Sequence, residues 1–165
     1  MHFKVGDIKG VVVQKLVQHT DQRGTLVQTF RSDSLPSGVR PVMSYVSYTK
    51  PGIGRGPHEH EEQTDVFAFI GPGSFELYLC DNRRESETYE NRMRMVVGKK
   101  NPALIVIPPG VVHGYRNISD DERGMVINYP DRLYRGWGGK GEVDEIRHED
   151  RGDEFYEDFL SKNRL

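Results

Sequence analysis

Apolar and polar positions alternate along the chain in short bursts broken by glycine, proline and charge. VVVQKLVQ (11–18), TLVQTF (25–30), VMSYVSYT (42–49), DVFAFI (65–70), SFELYLC (74–80), RMRMVVG (92–98), ALIVIP (103–108) and MVINY (125–129) each read as a strand. GPG at Gly71 to Gly73 sits between two of these runs like a hairpin loop, and PPG at Pro108 to Gly110 stops ALIVI abruptly. Many short strands with no sustained helical period predict an all-β fold, an antiparallel sandwich or barrel, with a jelly roll the natural candidate. From about Gly136 the pattern changes to a glycine-rich linker and an acid-rich tail, in which FYEDFL predicts a short amphipathic helix.

At 165 residues the chain fits one domain, 1–165, with a core over about 8–136 and a tail over about 137–165. Its 23 basic and 25 acidic residues give a net charge of -2, so no broad positive field points to nucleic acid or a membrane surface as partner. Small ligands remain. The lone Cys80, inside an apolar run, fits strand packing in a reducing compartment. The chain shows no apolar stretch of membrane-spanning length, and MHFKVGDIKG lacks a signal peptide's apolar centre. A cytoplasmic protein is the expectation.

The titratable chemistry gathers in GRGPHEHEEQTD (54–65), directly before the apolar VFAFI. Residues two apart on a strand share a face, so His58 and His60 would enter the barrel together. With Asp65, and with His113 from PPGVVHG, they form a mixed nitrogen and oxygen set able to hold iron, manganese, nickel or zinc while leaving positions open. The same spacing also suits a metal-free site, with one histidine as a base and the other on substrate. Spacing leaves both readings open. It resembles the first cupin motif, Gly52-x5-His58-x-His60-x4-Asp65 with Asp for the usual Glu, and the second, Pro108-x-Gly110-x2-His113-x3-Asn117, with Pro102 where a glycine is usual.

A more specific resemblance runs in order from Ile8 to Gly136. IKGVVVQKLVQHTDQRGTLVQTFRSD (8–33), Gly52-x-x-Arg55-Gly56-x-His58, Arg83-x-x-Ser86-x-Thr88-Tyr89, IPPGVVHGYRNIS (107–119) and Arg135-Gly136 resemble successive motifs of the dTDP-4-dehydrorhamnose 3,5-epimerase family. The resemblance implies a dimeric cupin jelly roll that needs no metal and acts on a nucleotide-linked 4-keto-6-deoxyhexose in surface-polysaccharide or deoxysugar biosynthesis. It implies His58 as the base that removes a proton α to the keto group. It also implies Arg23 and Arg55 on the diphosphate, with Gln28, His60 and His113 contacting substrate. Lys50 is a further cation available to an enolate. For a homodimer, the N-terminal strand crosses to the partner.

Several positions depart from the family pattern. Its tyrosine acid falls at Val126, so the family's proton donor is absent unless Tyr129, Tyr115 or Tyr134 takes its place, with Tyr129 the first choice. The family's nucleobase contacts read Met43 and Tyr45, its motif Glu reads Gln28, and its lysine beyond the histidine loop reads Asp65. The late aspartate that orients the base is expected at Asp150, with Asp144 and Asp153 as rivals. HEH itself is similar to the histidine pair of sugar-nucleotide 3,4-ketoisomerases. A metal-dependent dioxygenase or isomerase, and a non-catalytic sugar binder, complete the alternatives.

Overall fold

A computed structural model describes residues 3–161; residues 162–165 of the expected tail lie outside them. In chain order the strands are β1 (Lys4–Val5), β2 (Val12–Lys15), β3 (Gln18–Asp21), β4 (Gly24–Val27), β5 (Tyr45–Thr49), β6 (Gly54–Glu59), β7 (Asp65–Phe69), β8 (Ser74–Asp81), β9 (Asn91–Gly98), β10 (Ala103–Ile107), β11 (Val111–Asn117), β12 (Gly124–Asn128) and β13 (Ile146–Arg147). Two helices follow, α1 (His148–Arg151) and α2 (Glu154–Leu160). One sheet runs β1-β9-β8-β11-β6-β13, a second runs β2-β10-β7-β12-β5, and β3 and β4 form a separate hairpin. The two sheets face each other as the expected jelly-roll barrel.

Strands β7 and β10 are buried at every position, which explains why they read as continuous apolar runs rather than as alternation. Their inward side chains Phe67, Phe69, Ile105 and Ile107 meet Leu77, Leu79, Val111 and Tyr115 in the central core. Their outward side chains Val66, Ala68, Leu104 and Val106 are covered by Phe30, Leu35 and Val39 from the loop after β4. On the other sheet the outward Tyr78, Cys80 and Val112 lie under Phe155 and Phe159 of α2. Each such phenylalanine contributes about 1.5–3 kcal/mol by leaving water. Burial pushes the Cys80 thiol up to about 12, as a packed and unreactive cysteine requires.

Two strands escape the apolar pattern. Strands β6 and β11 carry glycine, proline and histidine, yet pair antiparallel with His58 opposite His113 and a register shift between His113 and Tyr115. Gly56 sits at that irregularity with φ 78°, where a Cβ would fall 2.7 Å from the His113 carbonyl oxygen. Only glycine admits both the backbone angle and the close approach.

The tail folds back onto the barrel. FYEDFL forms α2 as expected, capped by the Asp153 side chain, which accepts from the Phe155 and Tyr156 amides. The buried His148 donates from Nδ1 to Asp153 Oδ2 at 2.6 Å and from Nε2 to Glu59 Oε1 at 3.1 Å. An imidazole that donates at both nitrogens is a cation.

Burial opposes that charge, but Glu59 and Asp153 raise the His148 pKa above the ordinary imidazole value. The stabilisation is therefore full below the unfolded value of about 6.5 and is lost as pH rises through the higher folded value. Thermal unfolding from pH 6 to pH 9 checks this. Wild-type protein should lose a stability component of about 1–3 kcal/mol that a His148→Asn variant lacks throughout.

Candidate functional site

The inward faces of β6, β7 and β11 meet at one end of the barrel. Asp65 shares a face with Phe67 and Phe69, His113 shares one with Val111 and Tyr115, and His58 and His60 enter from β6 and the residue just beyond it. One donor atom from each of His58, His60, Asp65 and His113 lies within 4.8 Å of every other, so HxH and the distant PPGVVH converge as the spacing predicts. Asp65 Oδ2 is 3.2 Å from His60 Nε2 and 3.0 Å from His113 Nε2. Burial opposes ionisation of Asp65, but His113 and His60 hold its carboxyl well below the usual carboxylate range. Burial also opposes charge on His60, yet Asp65 and Asp144 lift it to about 9. His58 responds oppositely: burial and then His113 push it well below the usual imidazole range, leaving a neutral ring.

Residues 144–148 run against the HEH segment like the second side of a zip. The Asp144 carboxylate accepts from the amides of Glu61, Glu62 and Gln63 at 2.8, 3.0 and 2.8 Å, and its carbonyl accepts from His60 Nδ1. Ile146 pairs with Glu59 and Arg147 with His58. Glu145 thereby reaches His58: its Oε1 lies 3.8 Å from His58 Nδ1. The same crossing divides the opening into cavities of about 680 and 560 Å³, with Tyr45, His58, Glu145 and Arg147 lining both. The larger one is also lined by Arg55, Arg116, Tyr115 and Phe159.

This arrangement has counterparts. A family model described as dTDP-4-dehydrorhamnose 3,5-epimerase matches residues 6–134. The chain belongs to that family. It is 40% identical over 129 residues, 78% of this chain and 81% of that protein, to the "probable low-salt glycan biosynthesis epimerase Agl13" of Haloferax volcanii. It is 35% identical over 115 residues, 68% of this chain and 74% of that one, to the spore coat polysaccharide biosynthesis protein SpsL of Bacillus subtilis. Among solved structures, the dTDP sugar isomerase of Desulfovibrio desulfuricans superposes with a TM-score of 0.73 at 26% identity, covering 85% of this chain and 84% of that one.

The residues expected from the epimerase resemblance divide into two groups. His58, His60 and His113 come together, joined by Asp65 from the metal reading, with Arg55 on the wall, where it donates to the Thr49 hydroxyl and the Tyr48 carbonyl. Arg23 and Gln28 do not reach this cavity in the single chain. Both are exposed, and Arg23 on the β3–β4 hairpin pairs with Asp21 at 2.6 Å. Lys50 is exposed in the turn after β5. Tyr129 is displaced from the expected acid position: it lies on the outer face, hydrogen-bonded to Thr29 and packed on Phe30. Tyr134 is exposed at the rim of the smaller cavity.

Asp150 is likewise not the partner of His58. It is exposed on α1, because the β13 register brings 144–147 over the histidines instead. Asp144 caps the loop and Asp153 holds His148, while Glu145 is the tail acid that lies 3.8 Å from His58. Arg116 was not anticipated as a site residue, and Tyr45 was noted only as a departure at a nucleobase position. Asn128 Nδ2 donates to the Tyr45 hydroxyl oxygen at 2.9 Å, which leaves the phenol proton directed elsewhere. Burial and then Asp65 push the Tyr45 pKa up, so the phenol stays protonated. Tyr115 is also protonated by burial, but it is tied to Ser47 at 2.9 Å.

If Glu145 positions His58 and steadies its protonated form, Glu145→Gln should lower kcat by about 10- to 100-fold with little change in KM. Asp150→Asn should leave both unchanged. Steady-state kinetics of the two variants decide between the acids.

Proposed function

We propose that the protein is an epimerase of a nucleotide-linked 4-keto-6-deoxyhexose, working in the cytoplasm in surface-polysaccharide or deoxysugar biosynthesis. The observation that carries this reading is that His58 and Tyr45 line the same cavity, beside Arg55 and Arg116. The keto group acidifies the neighbouring C–H bond, and His58 takes that proton to give an enolate. Tyr45 returns a proton from the other face of the ring, which inverts the carbon. The imidazolium formed on His58 faces Glu145, whose charge offsets it. At the outer end of the cavity Arg55 and Arg116 are the cations for the diphosphate, since guanidinium pairs bidentately with phosphate oxygens. His60, held at Nδ1 by the Asp144 carbonyl and facing Asp65 with Nε2, is a fixed wall rather than a mobile proton carrier. That favours epimerisation over 3,4-ketoisomerisation.

The proposal includes a homodimer. It is supported by the edge strand β2, the β3–β4 hairpin and the link between them, which expose Val13 (47%), Leu26 (66%) and Val17 (64%) respectively. Apolar side chains on unpaired strand edges invite a second chain. In such a dimer the hairpin's Arg23 and Gln28 have a route to a partner's cavity. The lone buried Cys80 suits a reducing cytoplasm.

In deuterated buffer with a 4-keto-6-deoxyhexose nucleotide, wild-type protein should wash deuterium into C3 or C5. His58→Asn should abolish the exchange, and Tyr45→Phe should slow net inversion by about 100-fold. Saturable binding of the nucleotide sugar without exchange would instead identify a sugar binder. Light scattering after size exclusion should give a dimer, and Leu26→Asp with Val13→Asp should give a monomer.

A further inference from the structure

The strand pairing that carries the tail across the opening also delivers a further guanidinium to it. Asp144 is fixed by three amides and His148 by Glu59 and Asp153, so the backbone between them is clamped at both ends. Residues two apart on a strand share a face. Glu145 and Arg147 accordingly both line the cavities, with Arg147 paired to His58 across the strands. Of Tyr45, His58, Glu145 and Arg147, the residues that line both cavities, Arg147 is the permanent cation.

Arg147 meets Glu145 through one edge. Its Nε donates to Glu145 Oε2 at 2.8 Å, while Glu145 Oε1 lies 3.8 Å from His58 Nδ1. That imidazole nitrogen is buried without a hydrogen-bond partner, an unfavourable state that a closer carboxylate relieves. A guanidinium carries five N–H donors. With Nε on the carboxylate, those on Nη1 and Nη2 are left for the cavities, into which the half-exposed side chain faces. Arg55 and Arg116 join Arg147 on the larger cavity, and the acids there are Glu145 and Glu149. Three guanidinium groups against two carboxylates leave that wall positive, which suits an anion.

We propose that Arg147 joins the two ends of the reaction site: one edge of its guanidinium holds Glu145 toward His58, and the other binds the diphosphate of the nucleotide-linked substrate. This rests on the reading of the larger cavity as a nucleotide-sugar site. Phosphate oxygens pair bidentately with the Nη edge, and the negative charge they bring repels the Glu145 carboxylate toward His58. Substrate thus fixes the guanidinium, and the guanidinium fixes the carboxylate that offsets the proton His58 takes. Arg147 lies beyond residues 6–134, which match the family model, so the link belongs to the tail of this chain.

Calorimetric titration of inorganic pyrophosphate and of dTDP tests the anion contact without turnover. Wild type should bind both saturably, and Arg147→Gln should weaken both by about 10- to 100-fold. Arg151→Gln, which removes the same charge from an exposed position on α1, should not. Absence of binding by wild type, unchanged affinity in Arg147→Gln, or an equal loss in Arg151→Gln overturns the contact. Arg147→Lys keeps the charge and loses the two-edged geometry. It should retain most of the pyrophosphate affinity yet lower kcat on a 4-keto-6-deoxyhexose nucleotide by about 10-fold. Combined with Glu145→Gln it should lower kcat no further than Glu145→Gln does alone, and additive losses overturn the aiming of Glu145. Failure here and failure of the epimerase reading are distinguishable. Solvent exchange by wild type with unaltered pyrophosphate binding in Arg147→Gln removes the link and spares the epimerase. Arg147-dependent binding of both probes, without exchange on any 4-keto sugar nucleotide, keeps the anion contact and removes the epimerase.

Discussion

A single buried carboxylate sets the terms for this barrel end. Asp65 occupies the face of β7 that Phe67 and Phe69 otherwise fill with aromatic rings, and it is only 1% exposed. An isolated charge there would cost several kcal/mol. The chain answers with two amides on Oδ1 and two imidazoles near Oδ2. The packing of β6 against β11 through Gly56 follows from the same need, because it places His58, His60 and His113 within reach. Removing the charge would release two histidines and two amides from their common partner, so the geometry of the site and the stability of this end of the barrel are one problem.

The second constraint is the pairing of 144–148 with 58–63. Because side chains alternate along β6, Glu59 points away from the cavity that its neighbours His58 and His60 line. The tail uses both faces. Glu145 meets His58 on one side, and His148 clamps Glu59 on the other. The fold of the C-terminal segment is thereby coupled to the site, and α2, seated on Tyr78 and Val112, anchors it. Function and stability meet in the same five residues.

Much of this was legible in the sequence, for identifiable reasons. Continuous apolar runs such as ALIVI mark strands covered on both faces, and two-residue spacing puts His58 and His60 on one side. Ordered motifs tied His113 to them across more than fifty positions. The sequence pattern could not say which side of YVSYT faces inward, so Tyr45 stood as a nucleobase position until the structure put its hydroxyl on Asn128 and its ring in the cavity lined by His58. Glu145 was hidden for a different reason. Its approach depends on a two-residue strand whose register no local periodicity encodes, and an acid-rich stretch offered Asp150 equally. Tyr129 was misplaced because it lies three positions beyond Val126, an odd spacing that exchanges the inner face of the strand for the outer one.

The account turns on whether one sugar carbon lies between His58 and Tyr45. A crystal structure of the protein with a nucleoside diphosphate deoxyhexose bound in the larger cavity tests this most directly. The account predicts the ring between the imidazole and the phenol, each within hydrogen-bond reach of opposite faces of the carbon next to C4, with the diphosphate between Arg55 and Arg116. A sugar ring seated away from His58, or with both side chains on one face, would contradict it.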